Sequence, residues 1–200
     1  KIVVSSITRF HAFSLAEQLQ KRGCLERLLV SWFNSETIAK GYDINPCLGT
    51  KIIAPYIVDR IPAKIPGMGF SERFCQRLAC DAYDRWARRH LPPCDIFVGW
   101  SSFSLRAQER ARALGAVCVI EHGSSHPRAQ GDLLAEEADR FGMPRAPVNE
   151  AVVERILAEF DAADRIAIPS RFVERTFLAH GVPAEKLLRV PYGVSLDKFH

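Results

Sequence analysis

Several common signatures are missing from this chain, and each absence removes a class of protein. No uninterrupted apolar run is long enough to cross a bilayer, and the amino terminus carries no secretory pattern. Lys1 is not an initiator methionine, so the expectation is a trimmed chain or a piece of a longer one. Cys24, Cys47, Cys75, Cys80, Cys94 and Cys118 form no CxxC pair and no Cys/His zinc spacing. Cys24, Cys94 and Cys118 fall at or inside predicted strands, where a free thiol packs as a small hydrophobe; reduced thiols in a cytosolic compartment are expected. No G-x-S-x-G elbow is present, which argues against a hydrolase. No G-x-G-x-x-G follows the first strand, which argues against a Rossmann-like oxidoreductase or epimerase. Extreme charge is lacking too. A formal charge of +4 and a pI near 8.8 permit an anionic ligand or membrane surface, but are too weak and evenly spread for a nucleic-acid partner.

What is present describes a globular domain. Hydrophobic residues make up 48% and charged residues 25% of 200 positions, enough for one domain with a full core. Ile2-Val3-Val4 begins a β-branched run of the kind buried in parallel sheets. Residues 13–22 place Leu15, Ala16 and Leu19 on one helical face, with Gly23 as the stop. Residues 25–33 read as a second strand. Residues 34–69, punctuated by Pro46, Pro55, Pro62 and Pro66, read as loops with a short strand at 51–54. Ser71 is placed to cap a helix reaching His90, with Phe74, Leu78, Ala82 and Trp86 as its apolar side. Strands at 95–100 and 116–120 flank a helix at 104–114. Helices at 129–141 and 148–161 precede a strand, helix and strand at 165–168, 171–180 and 187–190. The alternation predicts one α/β domain over residues 1–200: a doubly wound, mainly parallel, Rossmann-like sheet with helices on both faces.

In such a sheet, ligands bind beyond the carboxyl ends of the strands, which points to the loops at 5–11, 99–103, 121–127 and 169–171. The loop Glu121-His122-Gly123-Ser124-Ser125-His126-Pro127 gathers two imidazoles, two hydroxyls and a glycine directly after a core strand. His122 can donate a hydrogen bond or move a proton near neutral pH, and Gly123 lets backbone approach a ligand. His122 and His126 are four apart, but no helix puts them on one face, so a metal site is not expected. In the first loop Ser6, Arg9 and His11 replace a glycine-rich phosphate turn and suit a sugar or an anionic group. The plainer alternative has Phe10 and His11 capping the helix. Ser170 and Arg171 occupy the fourth loop. Arg73, Arg77, Arg85, Arg88 and Arg89 surround the apolar side of the helix at 71–90; they are a solvated face or a peripheral contact with an anionic membrane, diluted by Glu72, Asp81 and Asp84.

The words Ala163-Asp164-Arg165-Ile166-Ala167-Ile168-Pro169-Ser170-Arg171-Phe172-Val173, then His180-Gly181-Val182, then Val190-Pro191-Tyr192-Gly193-Val194 and Asp197-Lys198-Phe199 resemble glycosyltransferase family 4. The resemblance is strongest over the last forty residues and extends more loosely to the first strand and helix and to residues 117–125. It implies the amino-terminal, acceptor-binding domain of a two-domain GT-B enzyme of bacterial type, engaged in polysaccharide or lipid-linked glycan synthesis. A separate domain would bind the nucleotide-sugar. The family retains anomeric configuration and needs no cofactor or metal, the nucleotide-sugar being a co-substrate. His122 matches a histidine that contacts the donor sugar, with Gly123 and Ser124 shaping the same loop, and is the expected catalytic residue. Ser5-Ser6-Ile7-Thr8 stands where the family carries a glycine pair. The donor domain, with its paired glutamates, is expected beyond residue 200, and residues 1–200 alone are expected to be inactive. The competing reading is a non-catalytic α/β sugar- or nucleotide-binding module.

Overall fold

Among the described residues, short β-branched and apolar runs form seven strands: β1 (Ile2–Ser6), β2 (Leu25–Val30), β3 (Gly49–Lys51), β4 (Ile96–Trp100), β5 (Val117–Glu121), β6 (Arg165–Ile168) and β7 (Leu187–Arg189). They make a single sheet in the order β3-β2-β1-β4-β5-β6-β7, and every pairing is parallel. The computed structural model describes residues 1–7, 11–31, 41–52, 72–145 and 148–193. The helices that join the strands are α1 (Ala12–Lys21), α2 (Glu72–His90), α3 (Leu105–Ala113), α4 (Pro127–Arg140), α5 (Glu150–Ala162) and α6 (Arg171–Ala179). Gly23 (φ 66°) and Gly181 (φ 80°) follow α1 and α6 in the left-handed region, where a side chain would be strained.

Helices cover both faces of the sheet. On one, Ala12, Phe13 and Ala16 of α1 pack on Val4, Leu28, Val30, Val98 and Trp100. On the other, Tyr83 and Ala87 of α2 and Ala107 and Ala111 of α3 pack on Val3, Leu29, Phe97 and Cys118. Ile156 and Phe160 of α5 and Val173 and Phe177 of α6 extend that layer over Ile120, Ile166 and Ile168. The doubly wound α/β fold read from the sequence is the fold observed.

The buried side of α2 differs from the expected one. Phe74 and Leu78 are half exposed, at 50% and 47%, whereas Cys75, Ala79, Tyr83 and Ala87 are buried. The stripe is one residue further round the helix. Small residues at 75, 79 and 87 let the helix lie close to the sheet, and Tyr83 supplies bulk with a polar tip. Its hydroxyl donates to the Leu29 carbonyl (2.8 Å) and accepts from the Ser5 hydroxyl (3.0 Å). A buried phenol that satisfies two strand groups outweighs the extra apolar area of Phe74 and Leu78. Cys24, expected to pack as a small hydrophobe, is instead exposed, because it lies one residue before β2 begins. Ser71, the expected cap of α2, lies outside the described residues, as do residues 53–54 of the expected third strand.

Candidate active site at the carboxyl edge of the sheet

Chain order reverses between β1 and β4, the adjacent strands from which connections run in opposite directions. Loops leaving their carboxyl ends diverge and open a crevice. His11, from the loop after β1, occupies the N-cap position of α1, but its side chain makes no cap bond. Its Nε2 instead donates across the crevice to Glu121 Oε2 at the end of β5 (3.1 Å). Aromatic rings hold the imidazole from two sides: Trp100 at the end of β4 (centroids 5.0 Å) and Tyr192 (4.8 Å). The His11 side chain remains 34% exposed and that of Glu121 15% exposed, so the pair is sheltered yet open to a ligand. Burial, and then the Glu121 charge, push the Tyr192 phenol up, keeping it neutral and able to donate. A histidine held by a carboxylate in such a place can take a proton from a bound hydroxyl, and the carboxylate stabilises the resulting imidazolium.

His122 is built into the wall behind this pair. The residue is 6% exposed, and burial lowers the imidazole pKa to about 4, leaving it neutral at pH 7. Nε2 lies 3.1 Å from the Ser125 carbonyl, which only accepts, so the proton sits on Nε2. Nδ1 therefore accepts from the Ser101 hydroxyl (2.8 Å). The backbone N–H of His122 donates to Ala167 O of β6 (2.9 Å). One residue thus joins the loops after β4 and β5 to β6, and both ring nitrogens are bonded to protein. Ser124 Oγ lies 3.3 Å from the same Nε2. Gly123 is exposed, and a Cβ there would stand 2.4 Å from Tyr192 Oη. Glycine is what lets the tyrosine close over this loop.

The loop after β4 is held from below. Glu159 of α5, fully buried, accepts from the backbone N–H groups of Ser102 (2.6 Å) and Ser104 (2.8 Å). Asp84 of α2 accepts from those of Arg106 and Ala107 (2.9 Å each) at the first turn of α3. Burial raises the Glu159 carboxyl to about 7 and that of Asp84 to about 6, against the pull of these N–H donors and of Arg155, which bridges the two. Ser102 is held at φ 81°, uncommon for a residue with a side chain.

The remaining candidates are dispersed. Ser6 is fully buried within β1. Arg9 lies outside the described residues. Ser170 caps α6, its hydroxyl accepting from Val173 N (3.3 Å), and Arg171 is exposed beside it. His126 stacks on His180 (4.3 Å), and burial, followed by the His180 charge, lowers its pKa to about 4. Among the described residues no group of three or more His, Cys, Asp or Glu side chains is placed to hold a metal ion. Glu121 and Trp100 were not singled out in the sequence, and Tyr192 entered only as part of a terminal word. The available signal was position: each lies at or beyond the carboxyl end of a strand.

This architecture is shared with solved structures of sugar-transferring enzymes. Phytolacca americana UGT2, complexed with UDP-2fluoro-glucose and pterostilbene, superposes with a TM-score of 0.55 at 13% identity, covering 96% of this chain and 52% of the other. A UDP-glucosyltransferase from Polygonum tinctorium capable of glucosylating indoxyl gives 0.56 at 12% identity, covering 97% and 52%. A UGT of Arabidopsis thaliana complexed with UDP-L-rhamnose gives 0.55 at 18% identity, covering 95% and 48%. The likeness is one of fold, and this chain spans about half the length of the structures it matches. No protein-family model and no curated protein matches the sequence.

Proposed function

We propose that these residues form the acceptor-side domain of a GT-B glycosyltransferase, which moves a sugar from a nucleotide-sugar donor to a glycan or lipid-linked acceptor. The observation that carries this reading is the His11–Glu121 pair, set between Trp100 and Tyr192 at the strand-order switch. Aromatic faces suit the apolar side of a sugar or lipid-linked acceptor, and the histidine suits a hydroxyl. The likeness in fold to proteins solved with UDP-sugars supports the same reading. In this scheme the acceptor hydroxyl gives its proton to His11 as its oxygen bonds to the anomeric carbon. The bond from that carbon to the donor phosphate breaks, and the nucleotide diphosphate leaves with the electron pair. Glu121 stabilises the imidazolium, while His122 positions the loop that carries Glu121 and Gly123. A lipid-linked acceptor would bring the protein to a membrane surface; no described helix is long and apolar enough to cross one.

Direct displacement assisted by His11 inverts the anomeric centre, whereas the family 4 resemblance implies retention, with the donor phosphate assisting the hydroxyl. The experiment is an assay of the full-length protein with a panel of nucleotide-sugars, followed by NMR of the product's anomeric proton. Inversion is expected. Retention would keep sugar transfer and reject His11 as the base. Donor binding without transfer would favour the non-catalytic module. Residues 1–200 alone are expected not to transfer sugar.

A further inference from the structure

Away from the crevice, on the outer surface of the α2/α3 layer, a cleft of about 600 Å³ is lined by Arg85, Arg88, Arg89, Arg106 and Arg110. We propose that it is a binding site for a phosphate group of at least two negative charges, distinct from the sugar-transfer crevice and independent of that assignment. The helices dictate the arrangement. Arg85, Arg88 and Arg89 are spaced three and four along α2, and Arg106 and Arg110 four along α3, so each set forms one stripe. Ala87, Ala107 and Ala111 turn inward to the shared core, which brings the two arginine stripes to the outer groove.

Asp81 neutralises only one end. It pairs with Arg85 (2.7 Å) and Arg106 (3.5 Å), and also with Arg155 (3.4 Å), itself held by Asp84 and Glu159. Arg88, Arg89 and Arg110 make no ion pair among the described residues. Five guanidinium groups therefore face the one carboxylate bonded to them, and that carboxylate is shared with Arg155. Like charges four apart on a helix, as at Arg85/Arg89 and Arg106/Arg110, each cost a few tenths of a kcal/mol. A multivalent anion reverses that cost.

The lining also defines the ligand class. Guanidinium forks match phosphate oxygens in pairs, which an ammonium does not. Among the described residues arginine supplies every lining side chain, with no aromatic face for a base, so recognition is of charge and not of a nucleoside. The volume lies within the ordinary small-ligand range of about 300–1,000 Å³, well above what one inorganic phosphate needs. A diphosphate, or a phosphorylated headgroup at a lipid surface, carries the matching chemistry.

The test uses the full-length protein and a triple variant, Arg88→Gln, Arg89→Gln and Arg110→Gln, which leaves the Asp81 ion pairs with Arg85, Arg106 and Arg155 intact and so spares the fold; thermal unfolding checks this. Calorimetry with pyrophosphate and sedimentation with phosphatidylcholine vesicles, with and without phosphatidic acid, form the two arms. Expected is binding in at least one arm, weakened at least tenfold in the triple variant and by salt, but unchanged by Arg140→Gln with Arg145→Gln. Pyrophosphate binding identifies a soluble ligand; binding only to phosphatidic-acid vesicles identifies a headgroup. No binding in either arm, or equal binding by the triple variant, overturns the proposal.

Discussion

Tyr192 Oη lies 2.4 Å from where a Cβ on Gly123 would begin, so the two positions are sterically coupled across the crevice. Gly123→Ala is expected to push out the half-exposed tyrosine ring at little cost to stability, under about 1 kcal/mol, because the ring has solvent to move into. Acceptor affinity should fall about tenfold. Thermal unfolding and acceptor titration of the full-length variant check both halves, and Tyr192→Ala should reproduce the affinity loss without the clash.

His11 and Glu121 are predicted to act as a unit. His11→Ala should lower turnover by about 10²–10⁴-fold, the usual range for a lost general base, and Glu121→Gln by a smaller factor. The double variant should be little worse than His11→Ala alone, since Glu121 acts through the imidazole. Steady-state kinetics on the three variants would show this; additive losses would separate the two residues.

His122 should reveal itself through pH. Its folded pKa, about 4, is depressed below the ordinary 6.5 by burial, so between these values the unfolded chain takes up a proton that the folded protein refuses. Its contribution to stability is thus present above pH 6.5 and lost as pH falls toward 4, amounting to about 2 kcal/mol at pH 5. His122→Asn removes that penalty along with the loop hydrogen bonds. Its destabilisation, measured by urea unfolding, should be about 2 kcal/mol smaller at pH 5 than at pH 7.5, and a pH-independent difference would contradict the buried neutral ring.

Gly99, inside β4, has no room for a methyl group. A Cβ there would lie 2.4 Å from Ser104 Oγ, 2.7 Å from Ser104 Cβ and 2.8 Å from Phe97 Cε1. Gly99→Ala should cost about 1–3 kcal/mol, the usual range for overpacking a rigid interior. The displaced residue, Ser104, starts α3 and is tied to Glu159, so the loop after β4 should also lose its protection from hydrogen exchange.

Strands and helices were legible in order and kind because strands buried on both faces read as β-branched runs, and glycines such as Gly23 and Gly181 mark where helices must stop. The buried face of α2 was not legible. Phe74 and Leu78 make the more hydrophobic stripe, but the choice was settled by how closely Ala79 and Ala87 let the helix approach the sheet and by what the Tyr83 hydroxyl could reach. The site was legible as a set of loops, not as a set of partners. His122 stood out in the sequence as an imidazole beside glycine and hydroxyls, yet three-dimensional packing buried its ring. The pairing of His11 with Glu121 spans 110 positions, and no periodicity connects them. Buried Glu159 reads in the sequence as one more polar position on an amphipathic helix, since only tertiary structure aims it at the N–H groups of residues 102 and 104.

The left-handed Ser102, fastened from beneath by Glu159, has a consequence for timing. Glu159 belongs to the interior, so the bend in the loop after β4 is set when the core consolidates and does not wait for a ligand. An incoming molecule meets this part of the crevice already in its final shape. Complex formation here should be governed by diffusion and desolvation, with no slow ordering of residues 101–104 in the association kinetics.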